Sequence, residues 1–284
     1  MGDYKMDNKQ ICQALILGIK DYFEKNSVKN AVIGLSGGVD SAVCCCLIAK
    51  AIGSENVMAI LMPEEGLTSD ANVNDAKELA DKLKIDYKIL PINNAIDFFT
   101  DMNQRLSLMD STHAIANAKA RIRMTILYYF ANLLRSLVIG TSDKSEIALG
   151  YTTKYGDNAS DLLVIGDLWK TDVIKLGRFL SVPERILKKM PSADLILNVS
   201  AEEDLGAKYD LLDKILRMYI EEDVSIEEII RKGYDKKIVE NVVQRIVANE
   251  HKRRSPIIVR VSNRSFHNIE WRMPITNKFI SKDF

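Results

Sequence analysis

Ser36-Gly37-Gly38-Val39-Asp40-Ser41 is the stretch of sequence that decides the fold. It follows an apolar run, Ala31 to Leu35, and leads into small and apolar residues from Asp40 to about Ile52. That order predicts a strand, a tight glycine turn and a helix. At such a turn the free amide groups and the positive end of the helix dipole favour a phosphate. Two adjacent glycines let the backbone approach the anion closely, and the serines add hydroxyl donors.

The hexamer differs from two common phosphate loops. It lacks the Gly-Lys-Ser/Thr of the Walker type, and it does not fit the dinucleotide pattern G-x-G-x-x-G. A glycine pair after a strand is also what an ordinary tight turn would show. The hexamer alone therefore predicts phosphate binding, with a plain turn as the alternative.

Strand and helix patterns alternate on both sides of this turn. Apolar runs at Val57 to Leu61, Tyr87 to Ile92 and Leu137 to Gly140 are each followed by a helical pattern. Continuous apolar strands that alternate with helices predict a parallel sheet covered on both faces. Further helices are predicted over residues 7–25, about 110–135, 168–182 and 202–251, and a long loop from Lys154 to Asp167.

The fold class is therefore α/β, a Rossmann-like parallel sheet flanked by helices on both faces, with a helical C-terminal extension. We expect a single domain over 1–284, with a core at about 30–200 and the extension at about 201–284. No repeat period and no linker divides the chain.

The composition excludes several classes of protein. The 284 residues are 47% hydrophobic and 27% charged, which suits a soluble globular protein, and the formal net charge is zero. The net charge therefore gives the protein no overall electrostatic attraction to nucleic acid or to an anionic membrane surface. There is no apolar run of the ~20 residues that span a bilayer and no secretory signal, so we expect a cytoplasmic protein. Cys44, Cys45 and Cys46 are consecutive and Cys12 is distant, which predicts apolar fillers instead of disulfides or zinc ligands.

The hexamer resembles the pyrophosphate loop of the N-type ATP pyrophosphatases, the adenine nucleotide alpha hydrolase-like enzymes that split ATP between the α and β phosphates. The resemblance implies that the loop holds the leaving pyrophosphate and that Asp40 helps to bind Mg²⁺. The implied ATP-binding residues are Gly34, Leu35, Ser36, Gly37, Gly38, Val39, Asp40 and Ser41.

Motifs further along the chain resemble the ammonia-dependent NAD synthetases. In order they are Asn117 to Met124, Gly140 to Glu146, Gly150 to Asp157, Lys170-Thr171 and Pro191 to Ala193. The resemblance covers roughly residues 30–210. It implies a ligase that amidates deamido-NAD with ammonia and ATP through an adenylated intermediate, releasing NAD, AMP and pyrophosphate. It also implies a homodimer and Mg²⁺ as cofactor. Only about 30 residues precede the first strand and the C-terminal extension is short, so we expect no fused glutaminase domain and free ammonia as the nitrogen donor. The aromatic residues Tyr128, Tyr129 and Phe130 would serve either a dimer contact or the core.

The same resemblance assigns roles to residues outside the loop. Glu146 becomes a second Mg²⁺ ligand beside Asp40, and with Lys170 these two are the implied catalytic residues. Further ATP contacts fall on Thr141, Lys170 and Ser192. Contacts to deamido-NAD fall on Arg121, Lys154, Asp161, His251 and Lys252.

Each position also has a structural interpretation. Glu146 follows Asp143 at the spacing of a helix capping box. Arg121 could serve a purely structural role, Thr141 could be a turn hydroxyl, and Lys154 and Asp161 could be solvated loop residues. His251 and Lys252 close a helix, where basic residues are favourable. Lys170 precedes Thr171, a predicted N-cap, so its charge lies at the unfavourable helix end unless an anion is near.

The chain departs from the resembled pattern at a few positions. Asp143 stands where asparagine is expected, Asn158 where glycine is, and Val164 where proline is common; residues 64–67 also diverge. Two alternative functions stay open. Another ATP pyrophosphatase, such as a tRNA-thiolating enzyme or the synthetase part of a GMP synthetase, would share the loop. A non-catalytic nucleotide sensor would keep the fold but lose the acidic pair, and both Asp40 and Glu146 are present.

Overall fold

The computed structural model describes residues 6–105, 111–189, 200–266 and 275. Its described part contains a five-stranded parallel sheet in the order β3-β2-β1-β4-β5. The strands are β1 (Asn30–Gly34), β2 (Val57–Leu61), β3 (Asp86–Ile89), β4 (Ser136–Gly140) and β5 (Leu162–Leu163). This arrangement confirms the predicted Rossmann-like α/β fold.

Helices surround the sheet. Those up to the fourth strand are α1 (Asn8–Asn26), α2 (Val39–Ile52), α3 (Asp70–Leu83), α4 (Asn93–Arg105) and α5 (Thr112–Leu134). They are followed by α6 (Lys144–Leu149), α7 (Lys170–Phe179), α8 (Glu184–Leu187), α9 (Ala201–Leu205), α10 (Tyr209–Leu216), α11 (Ile226–Arg231) and α12 (Lys236–Ala248). Short 3₁₀ turns span Ser54–Asn56 and Glu250–Lys252, and a π turn spans Arg217–Glu221. None of the helices in the described ranges is both long and apolar enough to cross a bilayer.

The sheet is covered on both faces because side chains alternate along each strand. Ile33 of β1 packs in the larger core cluster with α1, α2 and α7, whereas Val32 packs on the other face with Ala131 of α5. Helix α2 lies inside the larger cluster, and its three consecutive cysteines are buried and free. They fill apolar space, as predicted.

The helices after residue 200 form a second core cluster on α6 and α7. Leu149 of α6 and Trp169 pack there with Leu212 and Ile215 of α10 and Val242 of α12. The helices predicted over 202–251 are thus packed against the two helices that carry Glu146 and Lys170. The described residues 253–266 of the predicted extension contain no helix.

Two local predictions were wrong. The long loop from Lys154 to Asp167 contains β5, which pairs with β4 through Ile139 and Leu162. Two residues are too few for a periodic signal, so the sequence pattern could not reveal this strand. The N-cap of α7 is Trp169 and not Thr171, so the helix begins at Lys170. Ser145 and Asp213 accept from the amide groups of Lys170 and Thr171, which are therefore satisfied without a side chain at the N-cap.

Candidate active site

The glycine turn lies at the carboxyl end of β1 and opens α2. Gly37 has φ +80°, and a Cβ there would lie 2.2 Å from the carbonyl oxygen of Asn72, so only glycine fits. The Lys189 ammonium donates to the Gly37 carbonyl at 3.0 Å and to Asp75 at 2.8 Å. The amide of Gly38 donates to the Ser36 hydroxyl at 3.2 Å. The turn is therefore held from outside by α3 and by the basic residue that follows α8.

A cavity of about 290 Å³ opens beside this turn. It lies at the carboxyl ends of β1, β2 and β4, the position where open α/β sheets bind ligands. One wall is apolar, formed by Ile60, Met62, Met124 and Leu127. The lining also includes residues with predicted nucleotide roles, Gly34, Leu35, Ser36, Gly38, Val39, Asp40, Ser41, Thr141, Glu146 and Lys170.

Three carboxylates surround the ammonium of Lys170. Its Nζ lies 2.7 Å from Asp40 Oδ2, 2.8 Å from Asp143 Oδ2 and 3.0 Å from Glu146 Oε1. Burial alone would lower the pKa of Lys170, but the three carboxylates raise it well above its ordinary value. The sequence places a positive charge at the unfavourable end of α7, and the protein's own acids supply the anion that offsets it.

The three carboxylates can also serve a metal ion. Each offers an oxygen, and these oxygens lie within 4.8 Å of one another. Asp40 Oδ1 and Asp143 Oδ2 are buried and accept no hydrogen bond within the described ranges; Asp143 Oδ2 meets Lys170 as an ion pair only. Burial raises the pKa of Asp143 to about 6, although Lys170 opposes the rise and Asp40 adds to it. Negative charge exceeds positive charge here, and a hard divalent cation would balance it.

The capping interpretation of Glu146 is also correct. The Asp143 side chain accepts from the Glu146 amide at 2.9 Å, and Glu146 Oε2 accepts from the Asp143 amide at 3.4 Å, which forms a capping box on α6. The other oxygen of Glu146 contacts Lys170. Capping and a place in the cluster are therefore compatible for this residue.

Several residues predicted to contact deamido-NAD hold a second loop, residues 150–158. The Arg121 guanidinium donates to the Lys154 carbonyl at 3.2 and 3.3 Å. The Lys252 ammonium donates to the carbonyls of Gly150 and Thr152 at 2.7 and 2.8 Å. Asn158, where glycine was expected, donates to the Lys252 carbonyl at 3.2 Å. The loop is thus held between α5 and the turn at Glu250–Lys252.

The structure does not bring every predicted residue to the cavity. Arg121, Lys154, Asp161, His251 and Lys252 do not line its wall. The carboxylate of Asp161 instead accepts from the Val138 amide at 2.7 Å and the Tyr128 hydroxyl at 3.3 Å. His251 is exposed. Ser192 lies outside the described residues.

Sequence reasoning missed three residues that contact this site. Lys189 braces the glycine turn. Tyr209 places its ring 5.3 Å from the Lys170 ammonium, and Asp213 accepts from the Ser145 hydroxyl at 2.6 Å. A signal for Asp213 exists in the sequence, because it falls on the apolar face of α10 with Tyr209, Leu212 and Leu216 at helical spacing.

Comparisons with known proteins agree with this geometry. The family model described as NAD synthase matches residues 11–256. The NH3-dependent NAD(+) synthetase of Fusobacterium nucleatum is 37% identical over 92% of this chain and 99% of its own length. The glutamine-dependent NAD(+) synthetase of Aquifex aeolicus is 42% identical over 96% of this chain, but the chain spans about half of that relative's length (49%).

A solved structure is similar as well. The NMN synthetase from Francisella tularensis superposes with a TM-score of 0.80 at 31% identity, covering 90% of this chain and 100% of that one. The matches extend over the glycine turn, the carboxylate cluster and most of the helices that enclose them. The chain belongs to the NAD synthase family.

Proposed function

We propose that the chain is a ligase that amidates deamido-NAD with ammonia at the expense of ATP, giving NAD, AMP and pyrophosphate through an adenylated intermediate. The observation that carries this proposal is the cavity lined by residues of the Ser36–Ser41 turn, among them Asp40, and by Glu146 and Lys170, with the carboxylate of Asp143 2.8 Å from the Lys170 ammonium. Membership of the NAD synthase family supports the substrate pair.

The glycine turn would hold the phosphates of ATP. The amide groups at the start of α2 and the hydroxyls of Ser36 and Ser41 are donors suited to the leaving pyrophosphate. Thr141, at the carboxyl end of β4, lines the same cavity, and the apolar wall suits the adenine ring. For Ser192 the ATP contact stays a prediction.

Mg²⁺ would be held by Asp40 and Glu146, with Asp143 as a third carboxylate. The buried oxygens without a hydrogen-bond partner, Asp40 Oδ1 and Asp143 Oδ2, fit such an ion. When bound, the ion would withdraw charge from the phosphate oxygens. Lys170, whose ammonium lies among these carboxylates, would contribute positive charge to the binding of the phosphates.

The reaction needs no side-chain nucleophile. An oxygen of the nicotinate carboxylate forms a bond to the α-phosphorus, and the bond from that phosphorus to the β-phosphate oxygen breaks, releasing pyrophosphate. Ammonia then attacks the acyl carbon, AMP leaves and a proton is lost from the nitrogen. The protein's contribution is orientation by the turn and charge stabilisation by Lys170.

The part of the site that binds deamido-NAD, the acceptor of ammonia, would be built on the loop of residues 150–158. Arg121 and Lys252 fix this loop and carry positive charge beside it, and Lys154 lies within it. We propose that Arg121, Lys154, His251 and Lys252 contact deamido-NAD. Asp161 follows this loop in the sequence and accepts from the Val138 amide of β4, and we propose that it also contacts deamido-NAD.

Free ammonia is the proposed nitrogen donor. The NH3-dependent NAD(+) synthetase of Fusobacterium nucleatum, matched over nearly its whole length, supports this donor. We also propose a homodimer in the cytoplasm. Tyr128 and Phe130 pack against the core, but Phe98, Met102, Tyr129 and Leu133 on α4 and α5 are exposed apolar side chains that a second copy could cover.

A second acceptor is favoured by one observation, the similarity to an NMN synthetase. The mononucleotide analogue, deamido-NMN, carries the same nicotinate carboxylate and would need the same adenylation. The choice between the two acceptors depends on whether the site binds the second nucleotide half of deamido-NAD.

One assay tests these proposals. The protein is incubated with ATP, Mg²⁺ and ammonium, with deamido-NAD or deamido-NMN as acceptor, and the products are separated by chromatography. We expect AMP, pyrophosphate and NAD in equal amounts, with a higher kcat/KM for deamido-NAD. Higher kcat/KM for deamido-NMN would transfer the assignment to that acceptor. Formation of ADP, or turnover only with GMP-synthetase or tRNA substrates, would refute the proposal.

A further inference from the structure

Helix α10 reaches the start of α7 through a buried hydrogen-bonded chain. The backbone amide of Lys170 donates to the Ser145 hydroxyl at 3.0 Å. That hydroxyl donates to Asp213 Oδ1 at 2.6 Å, and the Thr171 amide donates to Asp213 Oδ2 at 2.9 Å. Ser145, Lys170 and Asp213 are each at most 2% exposed. One carboxylate oxygen of Asp213 therefore accepts from α7 directly, and the other reaches α7 through Ser145 of α6.

These hydrogen bonds replace a missing N-cap. The first amide groups of a helix have no partner within the helix, and a side chain at the N-cap commonly accepts from one of them. Trp169 occupies that position in α7 and forms no side-chain cap. Asp213, 42 positions beyond Thr171 in the sequence, supplies the acceptor, and its negative charge also suits the helix dipole.

The same helix contacts the other end of the Lys170 side chain. Tyr209 lies one turn before Asp213 on α10, and its ring centroid is 5.3 Å from the Lys170 ammonium. A cation near an aromatic ring is attracted to its face. Helix α10 thus contacts Lys170 at the backbone, through Ser145, and at the ammonium, through Tyr209.

We propose that Asp213 is a positioning residue for the nucleotide site, which sets the direction of Lys170 through Ser145. The inference rests on the proposed function, because it gives Lys170 a role on the phosphates of ATP. Its alternative is a cap that only stabilises α7. The two interpretations make different predictions for a variant that lacks these hydrogen bonds but keeps α7 folded. Positioning predicts that the Lys170 side chain leaves its place, whereas simple capping predicts that it stays.

Two variants break this set of hydrogen bonds at different places. Asp213→Asn keeps the side-chain shape but cannot accept from both Ser145 and Thr171, and Ser145→Ala removes the hydroxyl and leaves Asp213 in place. Asp210→Asn, an exposed acid on the same helix, is the matched control. We expect kcat to fall on the order of 10²-fold in both test variants, the scale of a misplaced group, with an unchanged KM for ATP. The control should match the wild type.

A double-mutant cycle separates positioning from simple capping. Lys170→Arg keeps the charge but changes its geometry. If Asp213 acts through Lys170, adding Asp213→Asn to Lys170→Arg should reduce kcat little further, because coupled residues are not additive. Additive losses, or a wild-type kcat in Asp213→Asn, would overturn the inference.

A readout without turnover keeps the inference independent of the proposed reaction. An acylating reagent is applied to the folded protein, and labelling of Lys170 is measured by mass spectrometry relative to exposed Lys175 on the same helix. Labelling of Lys170 should be slow in the wild type and faster in both Asp213→Asn and Ser145→Ala. Unchanged labelling in both variants would refute positioning, whereas absence of NAD formation by the wild type would refute only the function.

Discussion

The ammonium of Lys170 lies 2.7 Å from the carboxylate of Asp40, although 130 positions separate the two residues in the chain. Asp40 is in the first turn of α2, and Lys170 is the first residue of α7. Glu146 joins them from the first turn of α6. Three helix N-termini therefore converge at one point, where their dipoles favour anions. The three carboxylates lie in this field, and the Lys170 ammonium offsets part of their charge.

Lys170→Met should destabilise the fold and abolish turnover. It leaves three carboxylates without their cation, and removing one partner of a buried ion pair costs about 3–5 kcal/mol. We expect a lower free energy of unfolding in urea. Because Mg²⁺ can replace the lost charge, the ion should raise the melting temperature of this variant more than that of the wild type.

Lys175→Met is the control for that experiment. Lys175 lies on the same helix but pairs with Asp172 at an exposed position, where an ion pair contributes about 0–1 kcal/mol. Its variant should keep wild-type stability and turnover. Equal stability of the Lys170 and Lys175 variants would contradict the idea that Lys170 neutralises the cluster.

Gly37→Ala should weaken ATP binding as well as stability. Both Gly37 and Gly206 have φ +80°, but a Cβ at Gly206 meets nothing within 4 Å. Gly206→Ala should therefore cost about 1 kcal/mol from backbone strain alone. At Gly37 the contact with Asn72 should add roughly 1–3 kcal/mol. Urea unfolding and calorimetric titration with ATP test this, and similar ATP affinity in both variants would argue against the turn as the phosphate site.

Local patterns predicted most of the fold, and continuous motifs predicted several of the residues that line the cavity. The strand at Val57 to Leu61 was predicted at its observed bounds, since a buried parallel strand is apolar throughout. Asp40 and Glu146 were predicted from motifs that are continuous in the chain, and the structure brings both to the cavity beside Lys170. Asp213 and Lys189 were missed because their partners lie far away in sequence. The place of Asp213 on the apolar face of α10 indicates burial, but it does not specify which residues Asp213 contacts.

Asp143→Asn should weaken metal binding without loss of the helix cap. Asparagine also caps helices, so the bond to the Glu146 amide can remain while one negative charge is removed. We expect weaker binding of Mn²⁺, measured by electron paramagnetic resonance on the protein without nucleotide. Asp235→Asn, an N-cap substitution on α12, should leave Mn²⁺ binding unchanged. Equal Mn²⁺ affinity in the two variants would restrict Asp143 to capping.

Lys252→Met should raise the KM for deamido-NAD and leave the KM for ATP unchanged. Methionine keeps the apolar stem but removes the donor to the carbonyls of Gly150 and Thr152. A hydrogen bond from a charged group contributes about 1.5–3 kcal/mol, so a tenfold or larger rise is expected once the loop of residues 150–158 loses this anchor. Lys236→Met, an exposed lysine at the start of α12, is the control. Initial rates with each substrate varied in turn provide the measurement. An equal rise in both KM values would contradict this prediction, because it would show that Lys252 supports the binding of ATP as much as that of deamido-NAD.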